Sequence, residues 1–350
     1  MLIFERTSSR SACLFIILSF LFLSLSFNAY SNDNQNSFYG IKTELSFEET
    51  FGYRSAVKTF WKDKASRYSS IVKMDLVKSP TKVKKYKGRY NAFSTLEKSF
   101  YDHEFVYYKP KLMDGEKAPL IIIVPPVVGI TPLDYISANY FANSGFGVVV
   151  LKLNVPTSKM EFKLDDIGPM WKNYIDKVRA FIDVAHNLPG ADITKIGIKG
   201  VSLGGITAAL SSGRDPRIKA SVIFMGGIDL PTIMAHSVQP VVKKLRQKKM
   251  KELDLLNKKD YEELLREKIK LGLPFLTDGR KAKDYFLFVA LEDDYVPVEV
   301  QVGLRQKLGF PEALFLEKGH LMNGIFYSVH LKRMKEFYKK RFSLNNFSQH

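Results

Sequence analysis

The chain has 350 residues, 45% of them apolar, a formal charge of +17 and a single cysteine, Cys13. That length and apolar content support a core without covalent staples, which excludes a disordered chain, and one cysteine excludes a disulfide framework or a multi-thiolate metal centre. The lysines are scattered, and the two clusters at 82–87 and 243–251 are interrupted by apolar residues, as solvated faces are; this argues against nucleic-acid binding and leaves open peripheral contact with an anionic membrane surface.

In chain order, Arg6 and Arg10 precede an almost wholly apolar stretch at 12–27. Small residues, Ala29 and Ser31, stand at the −3 and −1 positions of a cut after Ser31. Residues 1–31 therefore read as a secretory signal peptide, with export to a periplasm or the outside as the expectation and an uncleaved anchor as the alternative. Residues 32–98 read as an N-terminal extension, partly helical: 48–67 suggests one or two amphipathic helices burying Tyr53, Val57, Phe60 and Trp61.

From residue 99 to 350 the pattern is that of one α/β domain. Apolar runs at 105–108, 120–124, 147–151, 195–199, 220–224, 285–290 and 313–316 predict strands. Several are continuous, as strands buried on both faces are. Helical spacing fills 132–143 and 169–187, the latter with Trp171, Ile175, Val178, Ile182 and Ala185 on one face. This alternation predicts a mostly parallel sheet with helices on both faces. The stretch 229–280 is too long for a loop and carries Leu245, Met250, Leu253, Leu256, Tyr261, Leu264, Leu265 and Ile269 at helical spacing; it predicts a helical cap over the C-terminal edge of the sheet.

Between a strand and a helix stands Gly200-Val201-Ser202-Leu203-Gly204. A serine held on a sharp strand-to-helix turn needs glycine two residues to either side, where a side chain would clash. Glu292-Asp293-Asp294 follows a later strand and Gly319-His320 the last one. Ligands of open parallel sheets bind beyond the carboxyl ends of the strands, so Ser202, an aspartate and His320 are expected at one edge. His330 falls in a C-terminal helical pattern and is expected at the surface, as is His236, while Asp229 is expected to cap a helix. His103, His186 and His350 have no motif around them. Neither a metal-ligand motif nor a phosphate-binding glycine loop is present, so no metal and no cofactor is expected.

These residues carry a resemblance. Over about 100–340 the chain resembles the α/β-hydrolase superfamily, and residues 165–210 are similar to its dienelactone hydrolase and prolyl-oligopeptidase-type branch. The resemblance implies Ser202 as nucleophile, His320 as base and Asp293 as the acid, with Asp294 as its rival. It also implies an oxyanion hole from the amides of Leu203 and, by position, Val127. The chain departs from the family at Pro125-Pro126, where many members have His-Gly; prolines supply no N–H. The implied activity is an exported serine hydrolase that cleaves a carboxylic ester or related acyl bond of a small molecule through an acyl-enzyme. A serine peptidase of the same fold and a non-catalytic binding protein on a hydrolase scaffold are the alternatives.

Overall fold

A computed structural model describes residues 71–77, 83–94, 99–126, 128–153, 163–269 and 281–344. The expected signal peptide and the helices expected at 48–67 lie outside the described residues, as does the end of the expected cap.

Among the described residues nine strands form one sheet: β1 (Ile71–Val77), β2 (Lys84–Ser94), β3 (Ser99–Lys109), β4 (Ala118–Val124), β5 (Gly147–Leu151), β6 (Ala191–Val201), β7 (Ile218–Phe224), β8 (Tyr285–Ala290) and β9 (Glu312–Leu316). Their spatial order is β1-β2-β3-β5-β4-β6-β7-β8-β9. From β5 to β9 all neighbours are parallel, while β1, β2 and β3 form an antiparallel wing joined to β5. The helices are α1 (Pro132–Asn143), α2 (Ile167–Val184), α3 (Leu203–Arg214), α4 (Leu230–His236), α5 (Pro240–Glu252), α6 (Lys258–Lys268), α7 (Val298–Lys307), α8 (His320–Phe326) and α9 (Leu331–Arg341).

The expected strands are present, with two extensions. β6 begins at Ala191, with three extra residues, 193–195, bulging out between the positions opposite Pro119 and Leu120. β3 begins at Ser99 because it pairs with β2 along its whole length, from Lys84 opposite Lys109 to Ser94 opposite Ser99. The wing adds strands that the sequence pattern did not reveal, β1 and β2 lying within the expected extension. Its buried positions Gly88, Tyr90 and Ala92 alternate with outward Lys87, Arg89 and Asn91.

The sheet separates two cores. In β4, Leu120, Ile122 and Val124 face one side, with residues of α2, α3 and α7. Ile121 and Ile123 face the other, with residues of α1 and α9. Each such buried aliphatic side chain contributes about 1.5–3 kcal/mol, which anchors the strand ends that carry the loops of interest. Between β7 and β8 the insertion folds as α4, α5 and α6. Tyr261 and Leu265 are buried in it. Leu253 and Leu256, expected on a helical face, lie in the turn between α5 and α6 and are 45% and 93% exposed.

Candidate active site

Ser202 occupies the turn between β6 and α3 with φ 55° and ψ −121°. This left-handed backbone is uncommon for a residue with a Cβ and stores strain. Two glycines make the turn possible. A Cβ on Gly200 would stand 2.0 Å from the Gly204 carbonyl oxygen, and one on Gly204 would stand 2.1 Å from that of Val124. The turn is held by Ser202 N–H donating to Phe224 O at 2.9 Å and by Ile206 N–H donating to Ser202 O at 3.0 Å. Leu203 opens α3, so its amide is one of the first-turn N–H groups without an intrahelical acceptor, in the positive field of the helix end. Val127 lies outside the described residues.

Asp293 and His320 meet at the same edge. His320 Nδ1 is 2.7 Å from Asp293 Oδ2, and both residues are buried. A carboxylate only accepts, so the imidazole donates from Nδ1, the tautomer that in a neutral ring leaves Nε2 as the acceptor. Tyr295 and Val296 each donate a backbone N–H to Asp293 Oδ1 at 2.9 Å. Gln301, on α7, donates to Asp293 Oδ2 at 2.9 Å and to Val296 O at 2.7 Å, while its Oε1 accepts from Ala290 N at 3.0 Å. The rival acid, Asp294, is exposed, and its backbone carbonyl accepts from Val238 N. The Tyr295 ring lies 5.0 Å from the His320 ring. Gln301 and Tyr295 went unforeseen because an amide on the next helix and a tyrosine beside an acid are common residues without a motif of their own.

Ser202 and His320 line one pocket, about 230 Å³ in volume. Its walls are mostly apolar, including Pro126, Val128, Leu133, Val201 and Met225. Thr131, Asp134 and Tyr327 line it on the wall side and Gln239 of the insertion on another. The insertion thus reaches the site, as a cap is expected to.

Other residues singled out in the sequence fall elsewhere. Asp229 caps α4 by accepting from Thr232 N and pairs with Arg266 at 3.1 Å. His236 is exposed and pairs with Glu262 at 2.8 Å. His330 is not at the surface. It is half-buried beside the rings of Phe288 at 5.3 Å and Phe224 at 6.1 Å, and burial, with Arg333 nearby, lowers its pKa. The helical pattern there is broken by a 3-10 turn, Tyr327–His330, which rotates the histidine inward.

A mostly parallel sheet covered on both faces, with a strained serine after one strand and a bonded Asp–His pair after two later ones, is the architecture of the α/β-hydrolase fold. The profile of the dienelactone hydrolase family matches residues 104–270, a little under half of the chain. Among solved structures it is similar to an acetyl xylan esterase from Paenibacillus sp. R4, with 17% identity, a TM-score of 0.57, and 86% of this chain and 97% of that one covered. It is similar to acetyl xylan esterase 1 from Thermoanaerobacterium sp. JW/SL YS485, with 17% identity, a TM-score of 0.54, and 83% and 93% covered. The α/β hydrolase GrgF from Penicillium sp. sh18 gives 14% identity, a TM-score of 0.52, and 74% and 99% covered. At these identities the likeness is one of fold. No curated protein matches the sequence significantly.

Proposed function

We propose that the chain is a serine esterase that cleaves a small carboxylic ester through an acyl-serine intermediate. The observation that carries this reading is the pocket shared by Ser202 and a His320 already bonded to Asp293. Ser202 Oγ attacks the ester carbonyl carbon while Nε2 of His320 takes its proton. Asp293 stabilises the imidazolium without accepting the proton outright. The tetrahedral oxyanion sits against the Leu203 amide, with the loop after Pro126 supplying the second donor; losing one such donor typically costs about 2.7–4 kcal/mol. Collapse breaks the bond to the alkoxide, which leaves with the proton from His320. Water then repeats the sequence on the acyl-serine and releases the acid.

The pocket supports the size of the substrate. A cavity of about 230 Å³ is smaller than the roughly 300 Å³ at which drug-sized sites begin, so a short acyl group suits it. Export goes with this reading, supported by residues 1–31; amino-terminal sequencing of the protein recovered from its cells tests it, and an intact Met1 speaks for an uncleaved segment.

Intact-mass labelling with a fluorophosphonate tests the chemistry. The proposal expects one adduct on the wild type and none on Ser202→Ala. An unlabelled, folded wild type overturns it. A panel of p-nitrophenyl esters and peptide anilides then separates esterase from peptidase.

A further inference from the structure

Beside the pocket lies a charge that this chemistry does not use. Lys199 is on β6, three residues before Ser202, and its relative exposure is 0%. Lysine is almost never fully buried without a partner, and a well-packed apolar residue is usually the more stable choice. Its ammonium is 3.4 Å from Ser137 Oγ on α1 and 4.3 Å from the centre of the Tyr327 ring. Burial pulls its pKa down to about 8, and the Asp134 carboxylate favours its charged form.

The hydrogen bonds around it run one way. Tyr327 Oη donates to Leu133 O, so its single proton is committed there. Tyr327 Oη must then accept from Ser137 Oγ, 2.6 Å away, and Ser137 Oγ is left to accept from Lys199. An ammonium, which can only donate, therefore heads a chain that ends on a backbone carbonyl; each bond polarises the next. Beside that carbonyl, Asp134 Oδ2 accepts from Thr131 N at 2.9 Å and Thr131 Oγ1 at 2.8 Å. Thr131, Leu133, Asp134 and Tyr327 all line the pocket. Tyr327 follows directly on α8, the helix that His320 opens. The chain thus joins three parts of the site: the strand that leads to the serine, the first turn of α1, and the segment after the histidine.

We infer that Lys199 is a positioning residue: through Ser137 and Tyr327 it holds the wall of Thr131, Leu133 and Asp134 at a fixed place relative to Ser202, and so decides which acyl groups lie in line for attack. The inference rests on the esterase reading for its effect on turnover, but not for its effect on the wall.

The test uses the full chain and three variants: Lys199→Met, the double variant Lys199→Met/Asp134→Asn, and Tyr327→Phe. The double variant removes the carboxylate left without its counter-charge, while asparagine keeps an acceptor for Thr131, so it covers the case in which Lys199→Met alone fails to fold. Two readouts are taken: kcat and KM for p-nitrophenyl acetate, butyrate and hexanoate, and hydrogen exchange of peptides over 128–140 and over β6. A displaced wall spoils the alignment of groups that touch it, so kcat/KM for butyrate is expected to fall about tenfold or more, mostly in kcat, with acetate changing less than about threefold. Exchange over 128–140 is expected to rise with β6 unchanged. An equal loss on all three esters, or an unchanged ester ratio with only a shifted melting temperature, overturns the positioning role, because a structural role would do no more. If the wild type neither labels nor turns over any ester, the esterase reading has failed; exchange over 128–140 then decides alone, and no change there in folded variants overturns the inference.

Discussion

The parallel half of the sheet and the antiparallel wing are built to different tolerances. Around Ser202, backbone meets backbone: Gly200 against Gly204, and Gly204 against Val124, with no room for one added carbon. In the wing, side chains set the spacing. Gly88 lies under the Phe105 ring, Tyr90 reaches across to donate to Lys177 O of α2 at 3.2 Å, and its ring meets that of Phe181 at 5.3 Å. A side chain can rotate away from an intruder; a carbonyl fixed in a ladder cannot without breaking it. The wing covers α2 with adjustable surface, and the parallel half holds a strained turn in rigid surroundings.

Four measurements break or sharpen that contrast. The largest effect belongs to the acid loop of the parallel half. Asp293→Asn is expected to lower kcat by about 10³–10⁴-fold by reversing the tautomer logic of His320, while Asp294→Asn, one residue away but exposed, changes it by less than about threefold; equal losses would show that the loop, rather than the bonded carboxylate, is what matters. Next comes a matched pair of glycines. Gly204→Ala is expected to abolish folding or to cost more than about 3 kcal/mol in denaturant unfolding. Gly88→Ala meets the ring of Phe105 at a nominal 2.3 Å and, because the ring can shift, is expected to cost about 1–3 kcal/mol, the usual range for overpacking.

The third measurement is a pH series on the wing. Burial, with Lys177 nearby, holds His103 down to about 4 from 6.5, against a smaller opposing effect of Asp102. Between those values the unfolded chain takes up a proton that the folded chain refuses, so stability rises with pH across this window and is lost as pH falls from 6.5 towards 4. Melting temperatures of the wild type against His103→Gln check this, the variant losing less on acidification. The smallest effect is expected at Lys87→Ala, on the outward face of β2, which should stay within about 0.5 kcal/mol of the wild type.

The same contrast explains what the sequence made legible. Strands such as Leu120 to Val124 and Gly147 to Leu151 are buried on both faces and read as unbroken apolar runs. The elbow is legible because its steric demand leaves two glycines at a fixed spacing. Of the wing only the end of β3, 105–108, is legible; β2 is not, because its buried positions hold glycine, tyrosine and alanine between lysines and arginine, and residue types so mixed hide a period of two. The loop of Asp293 is visible as three acids in a row, but the choice between Asp293 and Asp294 as the partner of His320 depends on Gln301, eight residues on in α7. The chain of Lys199, Ser137 and Tyr327 joins positions 62 and 190 residues apart, and nothing local marks any of them.

The left-handed backbone of Ser202 has an evolutionary side. Glycine adopts that conformation without the steric penalty a Cβ brings, so Ser202→Gly relieves strain of order 1–3 kcal/mol. A lineage selected for heat resistance alone would drift to glycine at this position and lose the hydroxyl on which the proposed esterase chemistry depends. Keeping serine there means holding a residue against a thermodynamic gradient in every generation, and descendants released from that demand should show the loss at this codon before they show it in the core.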